Sequence, residues 1–81
     1  MKVITGRFGG ARTYVGRLPT HGVYHLRDWD LMGERADEFS LHWTFESAVD
    51  AAVREELEGR YCVVVCFNHP AKEDEKSASS A

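Results

Sequence analysis

The chain has 81 residues, 43% of them hydrophobic and 28% charged, a length that supports one small domain and one core. A domain of this size buries only about 60% of the surface its unfolded chain exposes, which argues against a deep enclosed substrate cavity. The longest apolar run, Tyr61 to Phe67, is far shorter than the ~20 residues of a membrane-spanning helix, and no signal-length apolar stretch opens the chain, so a cytoplasmic protein with no membrane partner is expected.

Residues 3–8 and 11–18 flank Gly9-Gly10, a dipeptide suited to the positive φ angles of a tight turn, and predict a β-hairpin. In that hairpin Arg7 faces Arg12, Thr5 faces Tyr14 and Ile4 faces Val15. Ile4, Phe8, Ala11 and Val15 then share a core face, while Thr5, Arg7, Arg12 and Tyr14 share the solvent face. Pro19 and Gly22 interrupt the pattern, and a third strand is predicted from Val23 to about Trp29. Its register is ambiguous, because Tyr24 and Leu26 fall on the face opposite Val23 and Trp29. Asp30 to Glu38 reads as a long acidic loop of the sort that carries function. Phe39, Leu41 and Trp43 alternate with Ser40 and His42, the period of a fourth strand.

Phe45, Ala48, Val49, Ala52, Val53 and Leu57 recur at helical spacing and predict an amphipathic helix from Phe45 to Glu58, with Thr44 as N-cap and Gly59 at the C-terminal stop. Tyr61 to Phe67 is apolar at nearly every position, which marks a strand covered on both sides or central in its sheet. Within it Cys62 and Cys66 would stand ~13 Å apart along a strand, beyond the ~7 Å a disulfide allows, so both are expected reduced. After Pro70 no large apolar residue occurs. The expected organisation is a single α+β domain over residues 1–69, followed by a disordered polar tail over 70–81. The domain is a mainly antiparallel sheet of four to five strands with one helix on one face, in ββββαβ order.

No catalytic constellation emerges, and no enzymatic activity, cofactor or metal is expected. His21 and His25 project from one face if both lie on a strand, yet His42, His69 and the cysteines add no zinc-type spacing. The carboxylate pairs Asp28/Asp30 and Glu55/Glu56 lack a lysine or histidine at a diagnostic distance along the chain. Gly6 to Gly10 precedes a strand instead of opening a helix, so it cannot hold a phosphate in the manner of a nucleotide-binding loop.

The net charge of −3 conceals a segregation. Residues 1–27 carry five basic residues and no acid, whereas residues 28–60 carry ten acids against three arginines. Two docking surfaces follow. An acidic one comprises Asp28, Asp30, Glu34, Asp37 and Glu38 and suits a basic protein partner, such as one that handles nucleic acid. A basic one comprises Arg7, Arg12, Tyr14 and Arg17 and suits single-stranded nucleic acid through phosphate contacts and stacking. An unpaired edge strand would also permit a homodimer.

In size, acidity, absence of catalytic residues and one-helix layout over residues 1–69, the sequence resembles small phage-encoded inhibitors, including anti-CRISPR proteins. The resemblance implies a protein that blocks a nucleic-acid-processing complex by binding it, with the segment from Asp28 to Glu38 and the helix acids as the first places to look.

Overall fold

The computed structural model describes residues 1–9 and 15–68. The helix with the clearest sequence signal, here α2 (Phe45–Leu57), forms as its periodicity requires. Thr44 caps it, its side chain accepting the Ser47 N–H at 3.2 Å, so one of the unpaired donors of the first turn is satisfied. At the other end Gly59 takes φ 94°, a left-handed conformation that a side chain would strain.

The strands are β1 (Lys2–Gly6), β2 (His21–His25), β3 (Ser40–His42) and β4 (Cys62–Phe67), in the sheet order β1-β4-β2-β3. The apolar run forms β4, which lies inside the sheet between β1 and β2. Because β4 alternates faces, it builds two cores. Cys62 and Val64 meet Val23, Ala48 and Ala52 beneath α2. Val63 and Val65 meet Tyr24 and Ala36 on the opposite face, where Ile4, Trp29 and Phe67 pack against them. An uninterrupted apolar strand is what two covered faces demand. Burial raises the Cys62 thiol above its ordinary pKa, and both cysteines are free.

Four expectations are corrected. The sheet is mixed, because β1 runs parallel to β4 while β2 is antiparallel to both β3 and β4. Among the described residues the element order is ββαβαβ, with two α-helices and not one between the strands, so the ββββαβ layout does not hold. Ile4 pairs with Val65 and not with Val15; residues 15–18 form no strand, and Val15 is 98% exposed. The remainder of the expected hairpin, including Arg12 and Tyr14, lies outside the described residues, as does the tail from His69 onward.

The third strand is shorter than expected, and much of the expected acidic loop is helical. β2 ends at His25, and the chain turns into α1 (Leu26–Met32), followed by a 3₁₀ turn over Gly33–Arg35. This resolves the register conflict: Leu26 and Trp29 are spaced i, i+3 on a helix and do not continue a period of two. Seven residues are too few for a helix to stand by propensity alone. α1 is held by Trp29, whose ring meets Tyr24 edge-on at 5.0 Å, and by the Leu26 N–H donating to the Tyr61 carbonyl at 2.9 Å. Gly22 in β2 has a packing reason too, since a Cβ there would stand 2.6 Å from the Phe67 ring, which also packs on Phe8.

Candidate functional site

α1 and the 3₁₀ turn lift most of the acidic segment onto one flank of the sheet. Asp28, Asp30 and Asp37 are exposed, whereas Glu34 and Glu38 are half-buried. Glu34 has a structural task, its Oε2 accepting the Arg7 backbone N–H at 3.0 Å and tying the 3₁₀ turn to the end of β1. The acids do not stand alone. Although Trp29 faces inward, no residue of α1 is fully buried; Leu31 is 78% and Met32 47% exposed. Asp28, Leu31 and Met32 are spaced i, i+3, i+4 and so share one helix face.

At the root of α1 is a half-open cavity of about 540 Å³, lined by His25, Arg27, Asp28, Asp30, Arg60 and Tyr61 among others. His25 ends β2 with its side chain under α2. Its Nε2 lies 3.1 Å from Glu55 Oε1 and its Nδ1 3.9 Å from Asp28 Oδ2, while its ring packs on Phe39 with centroids 5.1 Å apart. Arg60 Nη1 approaches the same Glu55 oxygen at 3.8 Å. The His25–Glu55 contact joins residues thirty apart, and no spacing rule in the sequence signals it. Exposed Tyr61 was legible only as the first residue of the apolar run.

His21 and His25 do share the α2 face of β2, but each is engaged separately. His21 Nδ1 lies 2.7 Å from Thr20 Oγ1 and its ring 5.6 Å from that of Phe45, while His25 turns to Glu55. Among the described residues no group of three or more histidine, cysteine or carboxylate side chains is placed to hold a metal ion. On the basic side, Arg7 and Arg17 are exposed, and among the described residues no carboxylate pairs with either guanidinium. The Arg17 carbonyl accepts the Trp43 indole N–H at 3.0 Å. Because residues 15–18 are not a strand, Arg17 does not belong to a paired hairpin face.

His42, noted in the sequence for its strand alternation and for adding no zinc-type spacing, is engaged at both ring nitrogens. Its Nε2 lies 2.7 Å from Ser40 Oγ and its Nδ1 2.7 Å from Ser47 Oγ, linking β3 to the first turn of α2. Desolvation, and then the charge of neighbouring His21, lower its pKa below the usual 6.5. The unfolded chain therefore binds more protons here than the folded one. This contribution to stability is complete above pH 6.5 and is lost as pH falls below it toward the folded value. The melting-temperature advantage of the wild type over His42→Gln should accordingly shrink between pH 7.5 and 5; an advantage that is flat or grows on acidification would contradict this assignment.

No helix among the described residues is long and apolar enough to cross a membrane. No protein-family model matches the chain, and neither a curated protein nor a solved structure shows significant similarity to it.

Proposed function

We propose that this chain is a protein-binding module that docks through the α1 flank onto a partner presenting basic and apolar groups, as a small inhibitor of a nucleic-acid-handling protein would. The observation that carries this reading is the exposure of Leu31 and Met32 on a helix face shared with Asp28, with exposed Asp30 on the same helix and exposed Asp37 shortly after its end. Exposed large apolar side chains rimmed by like charges match the anatomy of a protein interface, in which apolar anchors supply affinity and the rim steers encounter. A polyanion is repelled by the same surface.

The test compares capture of partners from lysate by the wild type and by the triple variant Asp30→Lys, Leu31→Ser, Asp37→Lys, at low and moderate salt. These positions are exposed, so far-UV circular dichroism and melting should change little. Retention should fall at least about tenfold, as expected on losing an apolar anchor together with its complementary charges. Equal retention by the two proteins would remove the α1 flank from consideration. Salt-sensitive binding of labelled oligonucleotides, lost in an Arg7→Ala, Arg17→Ala variant, would transfer the function to the basic residues instead.

A further inference from the structure

We propose that Ser47 is a nucleophile activated by His42, able to accept an acyl group from small activated esters at the corner where β3 meets α2. The arrangement is independent of the α1 flank. Strand alternation places Ser40 and His42 on the α2 face, each opposite a β2 residue of that face, Val23 and His21. The first turn of α2 then brings Ser47 Oγ to 2.7 Å from His42 Nδ1, while Ser40 Oγ stands 2.7 Å from Nε2.

A neutral imidazole donates through one nitrogen and accepts through the other. With Nε2–H donating to Ser40 Oγ, Nδ1 is left to accept the Ser47 hydroxyl proton, the relation between base and nucleophile in hydroxyl-based acyl transfer. Ser40 thus takes the orienting place that a carboxylate holds in a triad.

Three further features fit this reading. Thr44 is the cap of α2, its side chain accepting the Ser47 N–H, while the Ser47 hydroxyl is turned to His42. Ser47 is exposed, so a reagent can reach it. His42 is held neutral by its surroundings, the state a general base requires.

The chemistry balances with water as the only co-reactant. Ser47 Oγ bonds to the carbonyl carbon as its proton passes to His42 Nδ1. The ester C–O bond then breaks, and the leaving alkoxide takes that proton. Water next gives a proton to Nδ1 and adds to the acyl carbon; the bond to Ser47 breaks, Oγ recovers the proton, and the carboxylic acid departs.

The full chain should be treated with a fluorophosphonate probe, in which the P–F bond breaks, fluoride leaves and a Ser47 O–P bond forms, and the product examined by intact mass and peptide mapping. A single adduct at Ser47 is expected, with a rate that rises with pH and has its midpoint below the usual histidine value of 6.5. Ser47→Ala should abolish it, and His42→Gln should slow it by about 10²-fold, the lower range for a positioned general base. As a positioning residue, Ser40 should on change to alanine shift the pH midpoint as well as the rate. Absence of an adduct at Ser47, or an equal rate in folded His42→Gln, overturns the proposal. Should His42→Gln fail to fold, His42→Asn supplies the same comparison, and absence of the Ser47 adduct in the wild type remains decisive.

Discussion

Tyr24→Ala should destabilise the domain by about 3–5 kcal/mol, the range for truncating a large buried ring. Tyr24 is fully buried between β4 and α1, against Val63, Val65 and Ala36, with the Trp29 ring at 5.0 Å. Removing the ring takes away apolar burial and leaves a void between two elements that the sheet cannot bring together. For a chain of 81 residues the whole stability is on the order of 4–12 kcal/mol, so the variant should be unfolded in a substantial fraction or melt far below the wild type. Urea unfolding followed by circular dichroism gives the difference, with Tyr24→Phe as a near-isosteric control. A loss under about 1 kcal/mol would mean that Tyr24 is not the centre of the α1-side core.

Trp29→Ala should release α1 more than it destabilises the whole. The indole is partly exposed, so a cost of about 2–3 kcal/mol is expected, below that of a fully buried aromatic. Its consequence should be local, because α1 is short and Trp29 is its side-chain anchor to the Tyr24 cluster. Hydrogen exchange should show α1 amides losing protection while those of α2 and β4 keep theirs, since α2 packs on the other face against Val23, Cys62 and Val64. If the α1 flank is the docking surface, partner retention should fall with it, although Trp29 itself faces inward. Uniform loss of protection over both faces would show instead that the two cores unfold as one unit.

The separation between the faces also explains what could be read in advance. α2 was legible because every determinant of a helix is local: apolar spacing, a threonine cap and a glycine stop all lie within sixteen residues. β4 was legible as a strand buried on both sides, because an apolar run has only that use in a domain this small. The acidic segment was legible as a charged stretch, of which Asp28, Asp30 and Asp37 are exposed, but its helical form and the half-burial of Glu34 and Glu38 were not. Val23, Tyr24, Leu26 and Trp29 satisfy a strand and a strand-to-helix switch equally well until something covers the second face.

The sites were less legible than the elements. Asp28, Asp30 and Asp37 stand out by charge, but nothing in the order of residues announces that Leu31 and Met32 accompany them outward. The contact of His25 with Glu55, and of His42 with Ser47, depends on where α2 crosses β2 and β3.

Composition and periodicity by themselves determined a small α+β fold, its long helix and its central strand, because residue spacing alone decides which side chains share a face. Only the tertiary structure decided that β1 runs parallel beside β4, that the third strand stops at His25, and that a second helix covers the far side. Those choices turn on the burial of two sheet faces at once, a condition shared among residues far apart in the chain and absent from any one window of it.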